Sequence, residues 1–141
     1  MKFGDFSGLA EAYSDARPKY APQLLEILKN SIPLNDRSEI LDIGAGTGIW
    51  TRMMRENFGS RITAIEPNAD MYQAGVRDSS GHKIEWQNES AENYSYPDDS
   101  ADLITMASSF HWADYEKAIA NFKKTLKKIG RAHVWTPVTA T

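Results

Sequence analysis

The stretch Glu39-Ile40-Leu41-Asp42-Ile43-Gly44-Ala45-Gly46-Thr47-Gly48-Ile49-Trp50 constrains this chain more than any other. Ile40, Leu41 and Ile43 form an apolar run that suits a buried parallel strand and is too short for a helix. Gly44, Gly46 and Gly48 then interrupt the run. Glycine is needed where φ turns positive, or where a ligand must approach bare backbone. Beyond Gly48 the spacing becomes helical, through Ile49, Trp50, Met53, Met54 and Phe58, and Gly59 stands where a C-terminal cap is expected. Strand, glycine turn and helix N-terminus, in that order, make a site for a small ligand.

Two features narrow that ligand. The glycines run G-x-G-x-G, not the G-x-G-x-x-G of dinucleotide sites. Asp42 lies inside the strand, two residues before the first glycine. A carboxylate there would repel a phosphate and would suit a ligand with an ammonium group. The run Ile40-Leu41-Asp42-Ile43-Gly44-Ala45-Gly46-Thr47-Gly48 resembles motif I of the class I methyltransferases that use S-adenosylmethionine.

The rest of the chain supplies three more strand and helix pairs. A helix is expected over Pro22–Asn30, with Leu24, Leu25, Ile27 and Leu28 apolar. Arg61 to Glu66 reads as a second buried strand ended by Pro67, and Asn68 as the cap of a helix with Met71, Tyr72 and Val76 apolar. Lys83–Gln87 and Asp102–Ala107 read as strands three and four. From about Asp114 a helix carries Tyr115, Ala118, Ile119, Phe122 and Leu126 as its apolar stripe. Such alternation predicts an α/β fold with an open parallel sheet, Rossmann-like as in class I methyltransferases. At 141 residues one domain is expected.

Net charge of −3 gives no electrostatic footprint for nucleic acid. Cysteine is absent, which excludes thiolate metal sites and disulfides. His82 and His133 have no partners at ligand spacing, so no metal is expected. No apolar run reaches membrane-spanning length, and Met1–Phe6 lacks an apolar signal core. The cytoplasm is therefore the default location, and the expected molecule is a monomer or weak dimer without nucleic-acid or membrane partners.

The resemblance extends from Phe6 to Lys128 and is similar to the type 11 methyltransferase domain family, whose members act on small molecules. It implies S-adenosylmethionine as cofactor and a small-molecule methyl acceptor. It also implies that Gly44, Ala45, Gly46, Thr47 and Gly48 line the cofactor, with Asp42 at its methionine end through the amino group or a water. Glu66 falls some twenty residues beyond the glycine turn, where an acid meets a ribose. One carboxylate can accept from both ribose hydroxyls. Pro67, Asn68 and Met71 would flank the adenine, and Ser90-Ala91-Glu92 would meet its edge. Ser108 would touch the cofactor after strand four, with Phe110 and Trp112 as walls. His111 is a candidate base of suitable intrinsic pKa, although local packing accounts for it as well and a sulfonium donor often needs no base.

The segment 1–20 is expected to be a lid, since its Phe3, Phe6, Tyr13 and Tyr20 are costly to leave in water. The resemblance places Tyr13 and Arg17 over the cofactor. Two other functions stay open: a cofactor-binding chain without catalysis, and a nicotinamide-dependent oxidoreductase, against which Asp42 and the glycine spacing count.

After Lys128 the family pattern stops. The family continues into a Leu-Lys-Pro-Gly-Gly turn and three further strands. Here Ile129 to Val138 instead reads as one frame of a sequencing-adapter oligonucleotide with TGA taken as tryptophan. Residues 129–141 are therefore expected to be non-native, with the last strands missing and strand four an open sheet edge. The competing reading is a true strand over Ala132–Trp135, which has β-propensity behind it.

Overall fold

Leu25 and Leu28 lie on one side of the first described helix and are buried, as is Ile32 just beyond it, so α1 (Ala21–Ser31) forms by docking that side. The structure, a computed structural model, describes residues 21–107 and 114–135. The elements that follow are β1 (Glu39–Ile43), α2 (Ile49–Asn57), β2 (Arg61–Ile65), α3 (Ala69–Asp78), β3 (Ile84–Gln87), β4 (Ala101–Ala107), α4 (Tyr115–Thr125) and β5 (Leu126–Trp135).

The strands form one parallel sheet in the order β3-β2-β1-β4-β5. Register is regular from Glu39 opposite Arg61 to Ile43 opposite Ile65, and from Ile40 opposite Leu103 to Ile43 opposite Met106. Successive residues of a strand face opposite sides. Ile40, Ile62 and Leu103 therefore pack with Leu25, Leu28, Trp50 and Met54 of α1 and α2. Leu41, Ile43, Ile65 and Ile104 pack with Ala118 and Phe122 of α4 on the other face. Each such Leu or Ile, fully buried, contributes about 1.5–3 kcal/mol. The chain runs outward from β1 to β3 and returns to β4 on the far side of β1. The carboxyl ends of β1 and β4 thus form the switch point where open α/β sheets place ligands.

The expected α/β fold and its parallel sheet are what the structure has, and four details differ. The cap of α2 is Phe58 in extended conformation, not Gly59. Gly59 is instead a close-approach position, because a Cβ there would lie 2.0 Å from Asp36 Oδ1. In α3 the buried residues are Met71, Ala74 and Gly75, while Val76 faces outward. In α4 they are Ala118, Phe122 and Thr125, and Tyr115 and Ile119 are exposed. Met71, Ala118 and Phe122 are buried as expected, and the small residues Ala74, Gly75 and Thr125 complete the inward sides that apolarity alone did not show. Fourth, β4 is not an open edge. β5 pairs beside it, from Ala101 opposite Leu126 to Ala107 opposite Trp135, with a register irregularity between Ala101 and Leu103.

Candidate cofactor site at the carboxyl ends of β1 and β2

The loop between β1 and α2 needs its glycines. Gly44, Gly46 and Gly48 have φ of 68°, 61° and 86°, in the left-handed region that side chains disfavour. Gly44 and Ala45 donate from N–H to the Ile65 carbonyl at 2.7 and 3.0 Å, which ties the loop to the end of β2. Gly48 donates to the Ala45 carbonyl at 3.0 Å and stands as the N-cap of α2. Ala45 and Thr47 are buried.

Beneath this loop lies Asp42, 1% exposed. The Thr51 hydroxyl donates to its Oδ2 at 2.6 Å and the Thr105 hydroxyl to its Oδ1 at 2.9 Å. A buried carboxylate must be held by donors, and here α2 and β4 supply one each. Its carboxylate is turned into the fold, with a threonine donor on each oxygen.

Glu66 follows β2 and is 5% exposed. Its Oε1 accepts from Gly46 N–H and its Oε2 from Asn68 N–H, both at 2.7 Å. The carboxylate therefore spans the glycine loop and the start of α3. Burial pushes its pKa up to about 7, and the charge on Asp42 adds to the rise, while the two N–H donors oppose it. Each oxygen retains a lone pair for a further donor. Asn68 caps α3 as expected, its Oδ1 accepting from Met71 N–H at 3.0 Å. Asn88, just beyond β3, donates from Nδ2 to the Glu66 and Pro67 carbonyls at 2.9 and 3.1 Å.

Met71 is buried at 2%. Ala91 packs in the α4-side core, and its carbonyl accepts from Asn121 Nδ2 at 3.2 Å. Ser90 opens a turn, accepting from Asn93 and Tyr94 N–H at 3.2 and 3.0 Å, and leaves Glu92 half-buried. The structure thus gathers Asp42, the glycine loop, Glu66, Pro67 and Asn68 at one rim. Tyr13, Arg17, Ser108, Phe110, His111 and Trp112 lie outside the described residues. Thr51, Thr105 and Asn88 escaped the sequence reading. Thr105 is recognisable only once Asp42 and Thr105 are known to be register partners. Asn88 had one available signal, an amide immediately after a strand.

Among protein families, the model described as "Methyltransferase domain" matches residues 40–130. The chain belongs to the methyltransferase-domain family. This methyltransferase domain is 31% identical over 124 residues to an uncharacterized methyltransferase of Schizosaccharomyces pombe, a match covering 87% of this chain and 49% of that protein. It is 30% identical over 131 residues to an uncharacterized methyltransferase of Mycobacterium tuberculosis, covering 93% and 50%. The methyltransferase domain thus spans about half the length of these relatives. A candidate S-adenosyl-L-methionine-dependent methyltransferase of Methanococcus maripaludis shares the fold with TM-score 0.84 at 21% identity, over 96% of this chain and 65% of that one. Geranyl diphosphate C-methyltransferase of Streptomyces coelicolor, solved with S-adenosyl-L-homocysteine, shares it with TM-score 0.73 at 18% identity, over 82% and 45%.

Proposed function

We propose that this domain binds S-adenosylmethionine at the rim formed by β1 and β2 and transfers its methyl group to a small-molecule acceptor. The observation that carries the reading is the meeting of Glu66 with Gly46: an acid at the end of the second strand rests on a glycine loop of positive φ. The residues fit such a group. Two carboxylates, Asp42 and Glu66, sit close enough for one to perturb the other, which favours a ligand bearing positive charge over one bearing phosphate. When bound, the cofactor supplies an activated methyl on a sulfonium, which needs in-line positioning more than acid–base help.

This chain's own residues then divide the work. Gly44, Ala45, Gly46, Thr47 and Gly48 offer main chain that a ligand can approach closely. Glu66 takes the ribose hydroxyls on its remaining lone pairs. Asn68, with Pro67 and Met71, flanks the base, and Ala91 and Glu92 approach its edge. Asp42 stabilises the positive methionine end from beneath. Tyr13, Arg17 and Ser108 enter through the family resemblance, as does His111 as a base for acceptors that need one. Geranyl diphosphate belongs to the Streptomyces coelicolor enzyme and is not assigned to this domain.

Calorimetric titration with S-adenosylhomocysteine and, separately, with NAD tests the proposal. Binding of the first and not the second is expected, with at least tenfold loss in Glu66→Ala. Equal affinity of Glu66→Ala and the parent would refute the assignment of Glu66, and uptake of NAD alone would return the chain to the oxidoreductases. Saturable binding without methyl transfer in a protein of the relatives' full length would leave a binding domain.

A further inference from the structure

Gly48 is crowded from below by two side chains. A Cβ on Gly48 would lie 2.8 Å from Arg52 Nη1 and 2.8 Å from Trp86 Cζ2. Arg52 Nη1 donates to the Thr47 carbonyl at 2.8 Å and to Ser79 Oγ at 3.2 Å. Ser79 is the C-cap of α3 and 5% exposed, so the guanidinium sits at the negative end of that helix. The same cation therefore holds the last carbonyl before Gly48 and the end of a neighbouring helix. The indole of Trp86 fills the space between them. It also lies against Gly75 of α3, where a Cβ would be 2.2 Å from Trp86 Cη2, and edge-on to Tyr72 at 6.1 Å. Two glycines, one in the loop and one inside a helix, are thus sized to a single tryptophan.

We propose that Arg52 and Trp86 are positioning residues that hold the Thr47–Gly48 peptide in the orientation the cofactor loop needs. In a trans peptide the carbonyl and the following N–H point in opposite directions. Holding the Thr47 carbonyl toward Arg52 aims Gly48 N–H at the Ala45 carbonyl, its acceptor at 3.0 Å. That closes the tight turn and leaves the loop's outer surface to the ligand. The inference rests on the methyltransferase reading for its consequence, not for its geometry.

The test uses Arg52→Met, Arg52→Lys and Trp86→Phe in the full chain. Trp86→Phe removes the outer indole ring, which makes the contacts with both glycines. Amide hydrogen exchange of Gly46 and Gly48 in the free protein is followed by NMR, and S-adenosylhomocysteine affinity by calorimetry. Arg52→Met is expected to speed exchange at both amides about tenfold, leave β1 and β4 amides protected, and weaken the ligand about tenfold. Trp86→Phe should give the same loop-confined pattern. Arg52→Lys should recover part of both effects, because its ammonium keeps the charge and the donors but on a shorter stem without the planar guanidinium. Parental exchange at Gly46 and Gly48 in Arg52→Met, or protection lost evenly through β1 and β4, would overturn the proposal. If the parent chain takes up no S-adenosylhomocysteine, the cofactor reading fails, and the exchange result still decides the positioning claim.

Discussion

Glu66 is a buried acid whose carboxylate accepts from the main-chain N–H groups of Gly46 and Asn68. Its pKa, raised from 4.5 to about 7, carries a sign for stability. Between those values the folded state binds more protons than the unfolded one, so stability falls as pH rises from 4.5 toward 7 and is level above. The parent should therefore lose denaturation free energy across that window, by an amount on the order of 3 kcal/mol, while Glu66→Gln stays flat. Urea melts at pH 5 and pH 8 measure this. Ligand affinity should move the other way. Only the ionised carboxylate accepts freely from hydroxyls, so S-adenosylhomocysteine should bind about tenfold tighter at pH 8 than at pH 6 in the parent, and equally in Glu66→Gln. The position of Glu66 at the end of β2 was legible in the sequence because strand two and its ending at Pro67 were legible. The role of Asp42 was less so. A strand residue's depth depends on what packs over it, and the threonines that close over Asp42 lie 9 and 63 positions away.

At the scale of elements, the sequence showed the order from β1 to β4 and the helices beside them, because β1 and β2 are short apolar runs and α3 and α4 begin at the caps Asn68 and Asp114. In α3 the sequence pointed to Met71 but not Gly75, and in α4 to Ala118 and Phe122 but not Thr125, since the rest of each inward ridge depends on which neighbour is bulky. Gly75 is inward because Trp86 occupies the space a side chain would take. Gly75→Ala would ordinarily stabilise a helix by up to about 1 kcal/mol through propensity. Here overpacking against the indole should win and destabilise by about 1–3 kcal/mol. Chemical denaturation of the single variant checks the sign. Trp86→Leu in the same background should reverse it.

For the whole molecule, the strand that closes the sheet is the one the sequence left in dispute. Parallel pairing of β5 with β4 asks for β-propensity, which Ile129, Val134 and Trp135 supply whatever their origin. We read residues 129–141 as foreign to the native gene, and sequencing the source DNA past the Lys128 codon checks it: native codons continuing without the adapter string would refute the reading. A chain stopped after Lys128 loses most of β5 and bares the β4 edge. It should self-associate more than the parent in sedimentation velocity at equal concentration. Equal sedimentation would show that β5 protects nothing.

The opposite rim of the sheet is laced by charge. Arg61 pairs with Glu85 at 2.7 Å, Lys127 with Asp102 at 3.1 Å, Asp102 accepts from Glu39 N–H at 2.8 Å, and Tyr96 donates to Glu39. These bonds link β3 to β2, β1 to β4 and β4 to β5 where the strands begin, a full strand length from Gly46 and Glu66. Arg61→Ala should lower the melting temperature slightly, as exposed ion pairs are worth about 0–1 kcal/mol, and leave ligand affinity unchanged by calorimetry. The sheet thus has a fastening end and a working end, and an engineer could tighten the first without retuning the second.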